Sequence, residues 1–94
     1  MPLAGTVSNL VGLVSTAQAT GNSRTYTVWH GTTIAGATAT GLTVTFNPGT
    51  GLTAQVSSGS FSVAQGDVIW LVATVGSGGG TSGTVCIASV KIVV

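Results

Sequence analysis

Two stretches of this 94-residue chain, Val68–Val75 (VIWLVATV) and residues 84–94 (TVCIASVKIVV), are dense in β-branched residues and apolar on both faces when laid out as strands. Val and Ile are stiff at χ1 and pack well on a pleated surface, so both stretches read as β. In the first, Ile69, Leu71, Ala73 and Val75 share one side, and Val68, Trp70 and Val72 the other. In the second, Cys86, Ala88, Val90 and Ile92 oppose Val85, Ile87 and Val93. A sandwich strand needs to bury only one face. The second apolar face must be covered by more chain or by another subunit. Ninety-four residues leave little spare chain, which favours a subunit.

The rest of the sequence alternates with period two, as half-buried strands do. Across residues 24–30, Tyr26 and Val28 share one face and Thr25, Thr27 and Trp29 the other. Residues 42–47 place Leu42, Val44 and Phe46 inward, and residues 52–57 repeat the pattern with Leu52, Ala54 and Val56. The segment 47–51 (NPGTG) between them is a turn by its residues. Further strands are expected over residues 9–15, 35–40 and 60–63, the last leading to a turn at Gln65-Gly66-Asp67. With no Glu and a single Lys and Met, helix formers are scarce, and the fold class is all-β. The length fits one domain, residues 1–94, with a short N-terminal arm over about residues 1–5. The Gly-rich loop 76–83 has no following Lys or helix, so it reads as a connection and not a phosphate cradle.

Charge narrows the function. Only Arg24, Asp67 and Lys91 are charged, beside a lone His30, so 3% of residues are charged where an average domain has about 25%. Two cations cannot displace counterions from a nucleic acid, so no nucleic-acid partner is expected. One Asp and no Glu exclude paired-carboxylate catalysis. One His, one Cys and one Asp make a poor ligand set, so no metal and no cofactor are expected. A single Cys excludes an intramolecular disulfide. His30 has neither nucleophile nor orienting acid beside it in sequence, and the expectation is a protein that is not an enzyme. The longest strongly apolar run, residues 68–73, is far short of a membrane helix, and no basic residue before Arg24 marks a secretory signal. Disorder is equally excluded, because 44% of residues are hydrophobic and mean hydropathy is +0.64. A surface this poor in charge lacks the repulsion that keeps a free protein apart from its neighbours.

Single residues divide between structural and functional readings. Trp29 and Trp70 fall on outward faces, where they serve a subunit interface, or a sugar ring, unless they belong to the core. A sugar site normally adds carboxylates or amides, which this chain barely has. Cys86 alternates with Ala88 and Val90 and reads as a small core residue. Asp67 reads as a turn cap, with an ion pair to Arg24 or Lys91 as the alternative. The pairs Thr25/Thr27, Thr38/Thr40 and Thr43/Thr45 are uneven in spacing, so they read as ordinary outward Thr and not as an ice-binding array.

Taken in order, several segments resemble small jelly-roll domains of tailed-phage virion proteins. They are residues 5–10 (GTVSNL), 21–28 (GNSRTYTV), 42–45 (LTVT), 62–71 (SVAQGDVIWL) and 89–92 (SVKI). The Gly-Asp ahead of an apolar strand is also similar to C1q- and tumour-necrosis-factor-like jelly rolls. The resemblance implies an antiparallel jelly-roll β-sandwich, commonly homotrimeric, used on virion surfaces. It departs from the pattern at Trp29-His30, where a polar and then an apolar residue is expected. With Met1 at the start, Val94 in the last strand and no stem or coiled coil, the expectation is a capsid cement (decoration) protein, made in the host cytoplasm and sited on the capsid surface. Its subunit interface would use Trp29, Trp70, Val72, Val85 and Ile87. Its contacts with the major capsid protein would use Met1, Pro2, Leu3, Arg24 and Lys91. The alternative is a binding domain, carbohydrate-reading in one form, of a phage tail or head fibre.

Overall fold

The computed structural model describes residues 1–19, 21–47, 54–76, 78 and 86–94. Six strands run β1 Gly5–Val14, β2 Arg24–Gly31, β3 Thr38–Phe46, β4 Gln55–Val63, β5 Val68–Val75 and β6 Cys86–Val93. They form two antiparallel three-stranded sheets, ordered β4-β1-β6 and β3-β2-β5. The sheets face each other across one core. Val7, Leu10, Val14 and Val63 come from the first sheet, and Tyr26, Val28, Leu42, Val44 and Phe46 from the second. Tyr26 and Phe46 meet edge to face, with ring centroids 6.1 Å apart. The inward residues of β2 and β3 are those the alternation names.

Three strands are longer than the local pattern suggests: β1 begins at Gly5 where residue 9 is expected, and β3 and β4 each take in more than one expected piece. The expected pieces 35–40 and 42–47 join into β3, because Thr40 mends the irregularity between them. The β2–β3 ladder shifts register between Thr27 and Trp29, and Thr40 Oγ1 donates to the Val28 carbonyl at 2.7 Å. It also accepts the Leu42 amide at 3.2 Å. Residues 60–63 likewise extend back into β4. Val56 then corrects an expectation: it is exposed and outward. Phe61 and Val63 set the parity of β4 by packing inward, and Val56 lies an odd number of residues away. Ala54 is also exposed, and Leu52 lies outside the described residues.

The central strand β1 carries a bulge at Asn9, which has φ 56°. Both ladders of β1 shift register there. Asn tolerates this left-handed conformation better than most residues. The bulge changes the inward parity of the strand from Val7 to Leu10, Gly12 and Val14.

The sandwich is closed on one side and open on the other. On the β3/β4 side, the Thr43 amide reaches Ser57 Oγ at 3.4 Å, and Gly59 lies against Leu42 and the Gly41 backbone. On the opposite side, β5 and β6 are both edge strands.

Candidate functional site

Between β5 and β6 lies an open cleft of about 190 Å³, lined by Leu10, Val28, Ile69, Trp70, Leu71, Ala88, Ser89 and Val90. Its floor is the core itself, since Leu10 is 1% and Val28 4% exposed. Around the cleft, Val68, Leu71, Val75, Ile87, Ile92, Val93 and Val94 are exposed large aliphatic residues. Each strand is eight residues long, contains no proline, and carries one charge between the two, Lys91. Native edge strands are normally protected by charge, proline or bulges. Among the described residues, each of these two strands pairs with one strand only, so its far edge carries amides and carbonyls without a ladder partner beside apolar side chains. Cys86 opens β6 half-buried against the core, and burial raises its thiol pKa above the ordinary cysteine value.

The outer face of the β3-β2-β5 sheet is different in character. Trp29 lies opposite Trp70 across the β2–β5 ladder, with Ala39 on the other side of Trp29. The next outward row is Thr43, Thr27 and Val72, and the one after is Thr45, Thr25 and Thr74. Thr27 and Thr43 hydroxyls are 3.0 Å apart and those of Thr25 and Thr45 3.1 Å. The uneven spacing of these threonines in sequence is resolved by antiparallel pairing, which sets Thr25 against Thr45 and Thr27 against Thr43.

A third cluster gathers Asp67, His30 and the Met1 amine at one end of the sandwich. Asp67, 8% exposed, accepts the Ala64 amide on Oδ2 at 2.9 Å, and its own amide donates to the Ala64 carbonyl at 3.1 Å. Gly66 supplies the positive φ of this turn, +92°. His30 Nδ1 lies 3.9 Å from Asp67 Oδ2, and its ring stacks on Phe61 at 4.9 Å. Asp67 is therefore the turn cap expected from sequence, and the residue facing it is His30 and not the Arg24 or Lys91 of the alternative reading. The Met1 amine donates to the Asp67 carbonyl, and the Met1 carbonyl accepts the Gly66 amide at 2.8 Å. The cluster is thus a capped turn with a stacked imidazole whose buried Nδ1 faces the carboxylate from beyond hydrogen-bond distance.

The residues named for a subunit interface do not form one patch. Trp29, Trp70 and Val72 share the outer face of one sheet, while Ile87 is outward on the other, opposite Leu13. Only the β5–β6 edge connects them. Val85 lies outside the described residues. Among the residues named for capsid contact, Met1 is half-buried and fixed, whereas Pro2 and Leu3 are exposed. Arg24 is half-buried at the start of β2, and Lys91 is exposed beside Ser8. Met1 is fixed near His30, so it sits at the other end of β2 from Arg24. Sequence reading missed the cleft floor. Leu10 and Val28 each look like ordinary core positions and are buried as such, and only the sheet order shows that they also floor the gap between β5 and β6.

Among the described residues, no helix is long and apolar enough to cross a membrane, and no three His, Cys, Asp or Glu side chains group as metal ligands. Compared with protein-family models, curated proteins and solved structures, the chain matches none.

Proposed function

We propose that this chain is a non-enzymatic structural protein, a jelly-roll capsid cement protein of a tailed phage, working as a homotrimer on the outside of the head. The observation that carries the self-assembly is the pair of unprotected apolar edge strands, β5 and β6, flanking a cleft that opens onto the core. The viral setting rests on the ordered sequence resemblance.

The energetics suit a subunit that assembles on a scaffold. The exposed aliphatic side chains of β5, β6 and Val94 together amount to roughly 300 Å² of apolar surface, comparable with the largest apolar patch of an ordinary monomer, which is often functional. At about 25 cal/mol per Å², covering them contributes about 8 kcal/mol per copy. Association costs on the order of 4–15 kcal/mol, so edge hydrogen bonds and capsid contacts have to supply the surplus. Laying β5 of one copy along β6 of the next is a heterologous contact, which closes into a ring when the rotation permits. Each copy then leaves exposed Pro2, Leu3 and Lys91 for the major capsid protein. Several weak contacts held on one particle reinforce one another through effective concentration.

The test is sedimentation of purified protein with phage heads that lack their decoration protein. Saturable co-sedimentation with a stoichiometry in multiples of three supports the reading, and failure to bind any head removes the cement role.

A further inference from the structure

We infer that the outer face of the β3-β2-β5 sheet is a binding platform for a neutral polysaccharide, adjoining the β5–β6 cleft at Trp70. Three observations carry it. First, Trp29 and Trp70 are direct cross-strand neighbours on that face. Both are half-buried, so each rests partly against its neighbours and presents the remainder to solvent. Aromatic rings offer apolar area and a polarised face suited to the C–H side of a sugar ring.

Second, the threonine hydroxyls beside them are already oriented. Thr43 Oγ1 donates to the Tyr26 carbonyl at 3.2 Å, which leaves Thr27 as the donor in the 3.0 Å Thr27–Thr43 bond. Thr74 Oγ1 donates to the Thr25 carbonyl at 3.5 Å, and of the Thr25 and Thr45 hydroxyls, 3.1 Å apart, one donates to the other. Protons committed this way leave the hydroxyl lone pairs facing outward as acceptors. The face therefore accepts hydrogen bonds from O–H donors, in the place of the amides and carboxylates common in sugar sites. Rows of outward residues repeat at about 6.7 Å along a strand, so the aromatic row and two threonine rows span about 13 Å, enough for two or three sugar rings.

Third, the rows Trp29–Trp70, Thr27–Thr43–Val72 and Thr25–Thr45–Thr74 contain no ionisable side chain. Phosphate and carboxylate polymers bring negative charge to such a surface and find no cation to offset it, since the donors there, the indole N–H groups and a threonine hydroxyl, are neutral. An uncharged, hydroxyl-rich ligand with apolar ring faces is the complement.

The experiment is co-sedimentation with insoluble cellulose, chitin and starch granules, with alginate gel as the acidic control, at low and high salt. Retention on at least one neutral matrix is expected, equal at both salt levels and absent on alginate. Trp29→Ala and Trp70→Ala should each weaken retention about tenfold, equivalent to about 1.4 kcal/mol. Thr27→Val keeps the side-chain shape and removes the acceptor together with the bond to Thr43, so a several-fold loss is expected there in a protein whose circular dichroism matches the parent. No retention on any neutral matrix, or retention unchanged in both Trp variants, overturns the inference. So does a fall in particle mass by light scattering in both Trp variants, which would make this face a subunit contact. Leu71→Lys, in the cleft wall, should change particle mass and leave retention intact, which separates this face from the assembly edge.

Discussion

Asp67 Oδ2 accepts the Ala64 amide at 2.9 Å and lies 3.9 Å from His30 Nδ1, so the only acid in the chain closes the turn into β5 and faces the only histidine. The same turn holds Met1 through the Gly66 amide and the Asp67 carbonyl. This one turn thereby brings together the start of the chain, the end of β2 and the entry to β5, with the carboxylate bonded to the Ala64 amide and the backbone of Gly66 and Asp67 bonded to Met1. Asp67→Ala leaves the Ala64 amide without its side-chain acceptor and should cost about 1–3 kcal/mol in chemical denaturation. Asp67→Asn keeps an acceptor oxygen and should retain most of that stability. Equal losses in the two variants would show that charge toward His30 matters and the cap does not.

Asn9 sits at φ 56° where both β1 ladders change register. Asn9→Val places a β-branched residue in the left-handed region and should destabilise by about 1–2 kcal/mol, whereas Asn9→Gly should be near neutral. Denaturation midpoints of the two variants check it. A stable Asn9→Val protein would mean that β1 runs straight, which would turn Leu10 away from the core.

The bulge also marks the limit of reading this fold from sequence. Alternation places Tyr26, Val28, Leu42, Val44 and Phe46 inward correctly, because β2 and β3 keep one parity over their apolar residues. It misplaces Val56, since Phe61 and Val63 set the direction of β4 from its far end. Val68–Val75 was legible end to end, because eight consecutive residues with β-branched and aromatic side chains leave no competing period. The site was legible only in part. Two-sided apolar strands signal an uncovered surface, but which strands are edges is a matter of long-range pairing. The Trp29–Trp70 row likewise depends on β2 and β5, distant in sequence, lying side by side.

Burial raises the Cys86 thiol pKa. The unfolded chain then loses this proton at lower pH than the folded one, so the Cys86 contribution to stability is complete below the unfolded thiol pKa and is lost as pH rises through the folded one. Cys86→Val should flatten the alkaline limb of the stability–pH curve relative to the parent chain, a comparison that cancels Tyr26 and Lys91. In the same window, a thiol reagent should label native Cys86 more slowly than the urea-unfolded chain. Equal labelling rates would place the thiol in open solvent.

The apolar edge predicts its own disruption. A lysine in place of Leu71 or Ile87 puts charge where a neighbouring strand would lie, and either change should shift the protein toward monomer with the fold retained by circular dichroism. Unaltered association in both variants would move the interface away from β5 and β6.

Multi-angle light scattering of the purified chain at micromolar concentration tests the central claim most directly. A homotrimer scatters with three times the 9.1 kDa chain mass and collapses toward 9.1 kDa in Leu71→Lys. A wild-type chain that stays at 9.1 kDa would contradict assembly through the β5–β6 edge.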